Sequence, residues 1–248
     1  MSEFKFPSET IDLPSKGLVY PGEHPLSNGK IEIKYMTAKE EDILTNQAYI
    51  KKGNVLDKLV ESLIVNKDIN AKDLILGDKN AVLIAARILG YGQNYTFSLR
   101  GEDHTVNLSE VDNKPINESD FIKGENKFTF KLPNSGNDIT YKILNGHDET
   151  KIEAELRGLK KINKDASPEL STRLKYLITS VNEETDNKKI REFVDNYLLA
   201  IDSRALREHI KNTQPDVDLT FDLDSEGEVT IPIGITFFWP DAWDSTSI

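Results

Sequence analysis

The sequence predicts an α+β fold that is rich in helix and carries short antiparallel β-hairpins. Three observations lead to this prediction. Apolar residues recur at helical spacing in some segments, they alternate with polar residues in others, and the alternating segments come in pairs around turn residues. With 248 residues, of which 38% are hydrophobic, the chain is long enough to form a core without disulfide support.

The first elements are a strand followed by helices. Lys30–Tyr35 alternates polar with apolar residues, which predicts a half-buried strand. Thr37, with Glu40 three residues later, forms a capping box that begins a helix. Further helices are predicted over Val55–Ile64 and Ala81–Leu89, and the second of these is nearly all apolar.

Two hairpins are predicted in the middle of the chain. The first pairs Tyr95–Leu99 with Thr105–Leu108, and the second pairs Lys127–Leu132 with Ile139–Ile143. The segment between them, residues 113–124, is expected to be a loop with one helical turn.

The second half is mostly helical and ends in a hairpin. Helices are predicted over Asp148–Lys161 and Leu170–Val181. A longer apolar pattern runs from Ile190 to Ile210 and is expected to break near Asp202-Ser203. Alternating residues between Val217 and Ile233 predict the terminal hairpin.

Two parts of the chain repeat the same order of features. Leu13-Pro14-Ser15-Lys16-Gly17 leads to a strand from Ile31, and Leu132-Pro133-Asn134-Ser135-Gly136 leads to a strand from Ile139, an offset of 139 − 31 = 108 residues that stays constant from there. Any strand-to-helix junction shares part of this pattern, so duplication and coincidence both stay open. If the duplication is real, the chain splits near residue 125 into domains 1–124 and 125–248, the second combining a strand–helix module, a helical bundle and the C-terminal hairpin.

Composition limits the function classes. The chain has no cysteine, which excludes disulfides, thiolate metal sites and a thiol nucleophile. Its net charge of −11 makes it a poor non-specific ligand of nucleic acid or of an anionic membrane. No stretch has the length of apolar sequence that a membrane helix needs, and residues 1–6 do not resemble a secretory signal.

No motif in the sequence predicts catalysis, a cofactor or a metal. The four histidines lie in separate segments, without a partner at metal-ligand spacing: His24, His104, His147 and His209. The glycines match neither phosphate-binding fingerprint. Asp222 could begin a calcium loop, but Ile233 then stands at the twelfth position, where a bidentate Glu is required. We therefore expect a protein that is not an enzyme and binds no cofactor.

Aromatic residues near the C-terminus are the clearest candidates for contacts. Phe237, Phe238, Trp239 and Trp243 either pack in the core or anchor a protein interface, since such side chains bury large areas. We take the interface alternative as the hypothesis. Truncation after Gly234 is then expected to leave a folded chain that no longer binds its partner. Three residues of the first turn region complete the candidate interface: Leu13, Pro14 and Tyr20.

Three groups of motifs together resemble a known family. The first is Leu13-Pro14-Ser15-Lys16-Gly17 with residues 36–44; the second is residues 77–81 with 87–92; the third is residues 202–207, 215–218 and Phe237-Phe238-Trp239-Pro240. In this order they resemble the baseplate hub proteins of T4-like contractile-tailed bacteriophages. Some relatives carry Cys-x-x-Cys pairs in hairpin turns that correspond to residues 100–103 and 222–227, where this chain has no cysteine.

The resemblance implies a structural subunit or an assembly factor of the viral tail baseplate hub, found in the virion and made in the host cytoplasm. Its partners would be other baseplate and tail proteins, and it could form an oligomer with itself. The alternative is a transient tail-assembly chaperone, for example for the tape measure protein, absent from the mature particle. A cell-wall hydrolase is a third class, which only the abundance of carboxylates favours.

Overall fold

A computed structural model describes residues 7–162, 168–223 and 227–238. Within these ranges the chain forms eight α-helices and nine short strands, which confirms the predicted α+β class. The strands form four small antiparallel sheets, one of three strands and three of two. Among the described helices, none combines the length and the apolar composition needed to span a bilayer.

The first half begins with a hairpin and continues through four helices to a second hairpin. Its elements are β1 (Ser8–Asp12), β2 (Lys30–Lys34), α1 (Ala38–Thr45), α2 (Gln47–Lys52), α3 (Val55–Leu63), α4 (Leu76–Tyr91), β3 (Asn94–Leu99) and β4 (Glu102–Asn107).

The second half contains a three-stranded sheet, four helices and the terminal hairpin. Its elements are β5 (Phe128–Lys131), β6 (Asp138–Tyr141), α5 (Gly146–Ile162), α6 (Glu169–Leu177), β7 (Ile178–Val181), α7 (Asn187–Asn196), α8 (Ala200–Thr213), β8 (Thr220–Leu223) and β9 (Gly227–Thr230).

Two predicted element boundaries are wrong. The helix expected over Leu170–Val181 ends at Leu177, because residues 178–181 pair with β6 as a strand. Three of those four residues, Ile178, Thr179 and Val181, are β-branched and therefore suit a strand once the edge of β6 is available. The break in the long apolar pattern falls at residues 197–199, so Asp202 lies inside the first turn of α8.

The two halves contain copies of one structural module. The first module runs from β1 to α4 and the second from β5 to α8. Both hairpins have the same register: Ile11 faces Ile31 in the first, and Phe130 faces Ile139 in the second. The helices α3 and α6 have nine residues each, and each is followed at once by a residue that pairs with the second hairpin strand. The similarity seen in the sequence is therefore a structural repeat.

The strand-to-helix junction is also the same in both modules. Lys34 Nζ lies 2.6 Å from Glu40 Oε1 in the first, and Lys142 Nζ lies 2.7 Å from Asp148 Oδ1 in the second. The backbone N–H of Thr37 donates to Glu40, completing the predicted capping interaction. Burial raises the pKa of Glu40, but hydrogen bonds from Lys34, Ser62 and Thr37 outweigh it and lower the pKa to about 2.

Two hydrophobic clusters form the core, and one of them combines residues from both ends of the chain. The second cluster lies within the second module, between Leu132 and Ile210. The first cluster belongs to the first module and the β3–β4 hairpin, but it also includes C-terminal residues: Val217, Leu219, Ile231, Phe237 and Phe238. The chain therefore returns to the first module after α8, and the segment from residue 215 packs apart from the rest of the predicted 125–248 domain.

Gly77 marks the place where the returning chain crosses α4. A Cβ atom on Gly77 would lie 2.0 Å from the carbonyl oxygen of Pro215, and backbone cannot easily move aside. We expect Gly77→Ala to destabilise the protein by about 1–3 kcal/mol through overpacking, measured by urea denaturation. The same change at an open helical position normally stabilises by up to about 1 kcal/mol.

Gly158 in α5 is the matched control, since a Cβ there would meet nothing within 4 Å. Gly158→Ala should leave stability unchanged or raise it. Equal effects of the two substitutions would contradict the close crossing at Gly77.

Candidate functional site

The structure places five of the predicted interface residues in the core. Leu13 and Tyr20 are 1% and 5% exposed, Pro14 is buried, and Phe237 and Phe238 are fully buried. Their side chains offer no surface to a partner, so the interface hypothesis is corrected for these five. The physical reason is that residues far apart in the sequence close over them. Trp239 and Trp243 lie outside the described residues.

A buried carboxylate holds the first Leu-Pro turn. Asp78, in the first turn of α4, accepts hydrogen bonds from the Ser15 backbone N–H at 2.9 Å and from the Ser15 hydroxyl at 2.7 Å. It also accepts one from the Tyr20 hydroxyl at 2.6 Å, and that hydroxyl accepts from the backbone N–H of Ile75. One carboxylate thus fixes the turn, the segment after it and the start of α4.

Burial has the largest effect on the pKa of the Asp78 carboxylate. It raises the pKa of Asp78, the hydrogen bonds from Tyr20 and Ser15 oppose that rise, and the nearby charge of Asp216 adds to it. The pKa of Tyr20 is also raised, first by burial and then by the Asp78 charge. Both groups are buried and hydrogen-bonded to each other, so each holds the other in place.

The second module has the equivalent interaction. Asp202, in the first turn of α8, accepts from the backbone N–H groups of Asn134 at 2.8 Å and Ser135 at 3.0 Å. Burial raises its pKa, but hydrogen bonds from Asn134 and Ser135 outweigh that effect and the pKa is lowered. The motif analysis did not identify this pairing, although both helices carry Asp-x-x-Ala at this place, from Asp78 and from Asp202.

A buried arginine ties the C-terminal segment to α4. Arg87 is 1% exposed and donates from Nε to the Phe237 carbonyl at 3.0 Å and from Nη1 to the Gly92 carbonyl at 3.0 Å. Its guanidinium lies 5.7 Å from the centre of the Tyr95 ring, which itself packs 5.0 Å from Phe237. Arg87 thereby joins the end of α4, the β3 strand and the chain terminus.

The histidines are placed apart, with one exception. His24 Nε2 and His147 Nε2 lie 3.2 Å and 3.0 Å from the two carboxylate oxygens of Asp73, at the contact between the modules. His104 is next to Phe97, and His209 stacks on Phe130 at 4.6 Å. Among the described residues there is no group of three or more His, Asp or Glu that could hold a metal ion.

A depression of about 370 Å³ lies beside the three-stranded sheet, and none of the residues that line it is a histidine. Residues of β5, β6 and β7 and of the turn after β7 line it: Thr129, Phe130, Lys131, Asp138, Ile139, Thr140, Ser180 and Glu183.

A small apolar face is exposed where α8 begins. Tyr197, Leu199 and Ile201 are 62%, 49% and 59% exposed. Tyr197 and Ile201 belong to the apolar pattern that begins at Ile190, which predicts that they lie on the buried side of a helix. Because the helix breaks at residues 197–199, they point to solvent instead. Three large exposed apolar side chains within five residues make this segment a candidate contact surface.

Comparison of the chain with protein-family models, with curated proteins and with solved structures gives no match in any of the three.

The Asp78 interaction predicts different costs for two substitutions. Asp78→Ala removes an acceptor from three buried donors, so we expect a loss of about 3 kcal/mol or more in the free energy of unfolding. Asp78→Asn keeps one oxygen and the same shape, and hydroxyl groups can reorient towards its amide, so the loss should be smaller. Chemical denaturation of both variants measures the difference, and equal losses would show that the oxygen and the shape retained by Asn contribute no stability.

The burial of the terminal aromatics predicts a revised outcome for truncation. Phe237→Ala should cost about 3–5 kcal/mol, and removal of all residues after Gly234 should destabilise the fold at least as much. Tyr197→Ala is the control, since an exposed aromatic should change stability by about 0.5 kcal/mol or less. A truncated chain with the unfolding midpoint of the full chain would restore the original interface hypothesis.

Proposed function

We propose that this protein is a structural subunit or assembly factor of the baseplate hub of a contractile phage tail. It acts by offering a shaped surface to other tail proteins, without covalent chemistry. The proposal rests on the three motif groups that resemble the hub family, and one structural observation supports it: these groups, far apart in the sequence, contact one another.

Each motif group makes a hydrogen bond to another group. Ser15 of the first group bonds to Asp78 of the second. Asn80 of the second donates to Asp216 of the third at 3.0 Å, and Arg87 of the second donates to the Phe237 carbonyl of the third. These contacts bring the three motif groups together around α4, so the segments that carry the resemblance belong to one framework.

The build of the two modules suits a subunit that must hold its shape. Their turns are fixed by buried carboxylates rather than by flexible surface contacts. In a low-dielectric interior such bonds specify one geometry, since any alternative leaves a polar group unpaired. A net charge of −11 agrees with contacts to protein rather than to nucleic acid.

The chaperone alternative has one observation in its favour. An acidic protein with exposed apolar side chains, here Tyr197, Leu199 and Ile201, suits a holder of an aggregation-prone client such as a tape measure protein. The two roles differ in whether the protein stays in the finished particle.

Quantitative mass spectrometry of purified phage particles tests the proposal. A resident hub subunit should be present at a fixed ratio to the other baseplate proteins, and an assembly factor or chaperone should be absent from particles but necessary for them. In the second case, deletion of the gene should give tails without complete baseplates in electron micrographs. Normal particles that lack the protein, produced with or without the gene, would overturn the proposal.

A further inference from the structure

The repeat allows the start of α4 to be compared with the start of α8. Asp78 and Asp202 perform the same role, and the offset between them is 202 − 78 = 124 residues. With this offset Ile75 corresponds to Leu199 and Gly77 corresponds to Ile201.

In the first module, the start of α4 around Ile75 is covered by the second module. Ile75, 1% exposed, forms an isolated antiparallel bridge with Asn145, at the junction between β6 and α5. A Cβ on Gly146 would lie 2.8 Å from the Cα of Lys72, so the backbones are in close contact. The neighbouring His147 pairs with Asp73, which adds a polar contact at the rim.

The equivalent face of the second module is exposed. Leu199 is 49% exposed where Ile75 is buried, and Ile201 is 59% exposed where Gly77 lies under Pro215. The two modules therefore differ at this place. In the first, a strand-to-helix junction covers Ile75 and the returning chain covers Gly77, whereas Leu199 and Ile201 of the second are exposed.

The first module has a junction of the kind that covers such a face. Thr37, Ala38 and Lys39 correspond to Asn145, Gly146 and His147 at the offset of 108 residues. Ala38 and Lys39 are exposed, and Thr37 is half-buried. Ala38 carries a Cβ where Gly146 has none, so the two backbones must lie slightly farther apart in a contact made by Ala38 than Gly146 and Lys72 do.

We propose that the face formed by Tyr197, Leu199 and Ile201 binds the Thr37–Lys39 junction of a second copy of this chain, head to tail. Charge also favours this occupant. In the equivalent geometry Lys39 takes the place of His147 and meets Tyr197, whose ring attracts a cation. Because the two faces differ, each added copy leaves one of each available, which gives a ring or an open filament. This inference does not depend on the proposed function.

Cysteine cross-linking tests the contact directly, since the chain contains no cysteine of its own. Thr37→Cys and Leu199→Cys are made in separate full-length chains, and the two proteins are mixed under mild oxidation. Paired residues of antiparallel strands lie within disulfide distance, so the mixture should give covalent dimers at least about tenfold above either protein alone. Ala38→Cys, at an exposed site, replaces Thr37→Cys where the loss of the cap impairs folding.

Ile122→Cys, exposed by 60% in a different segment, is the matched control for Leu199→Cys and should not cross-link to the junction variants. Equal cross-linking by Ile122→Cys, or homodimers of one variant alone at the level of the mixture, would overturn the head-to-tail arrangement.

Sedimentation of the unmodified chain supplies the second measurement. The wild type should associate with rising concentration, and the double variant L199D/I201D should weaken that association at least about tenfold, whereas I122D should not. A wild type that stays monomeric up to about 1 mM overturns the proposal and leaves the face to another occupant. Association that persists unchanged in L199D/I201D overturns it as well. Self-association together with normal phage particles that lack the protein, produced with or without the gene, would contradict the proposed function alone.

Discussion

The hydrogen bonds between a turn and a carboxylate at the start of a helix are the interaction on which the rest of the structure depends. Asp78 joins Ser15, Tyr20 and the backbone before α4, and so it connects residues more than 55 positions apart. Since each donor is buried, its bond has no replacement by water, and the geometry of α4 against the first hairpin is fixed. The Gly77 crossing and the Arg87 contacts both follow from the position of α4.

The same device in the second module works in a different setting. There the turn residues Asn134 and Ser135 are exposed, whereas Ser15 is buried. The first module also has 11 additional residues between its turn and its second strand, since the offset between modules is 132 − 13 = 119 at the turn and 108 at the strand. The pKa values of the two carboxylates accordingly shift in opposite directions: that of Asp78 is raised and that of Asp202 is lowered. A repeated framework with unequal surroundings explains how one chain can present one covered and one exposed copy of the same face.

This asymmetry is relevant to assembly. A module whose face is covered within the same chain contributes rigidity. A module whose equivalent face is exposed offers a surface for binding. Protein subunits that build rings or tubes need both properties, because they must keep their shape while making contacts with different surfaces on either side. The hub role that we propose uses the same two properties, although the self-association and the hub role can be tested separately.

The sequence by itself determined the α+β class, the three hairpins after residue 93 and the capping interaction at Thr37, because these depend on local periodicity and on residues a few positions apart. It did not predict strand β1, which pairs with β2 across 17 intervening residues, and it left the repeat open. Only the tertiary structure decided the fate of the candidate interface. Phe237 and Tyr20 look like surface anchors until Arg87 and Asp78 bring α4 against them. Residues 178–181 continue the helical apolar pattern of α6, but β6 offers them an edge and they form a strand. In each case contacts between distant segments outweigh local preference, since burial and satisfied hydrogen bonds contribute more free energy than helix propensity does.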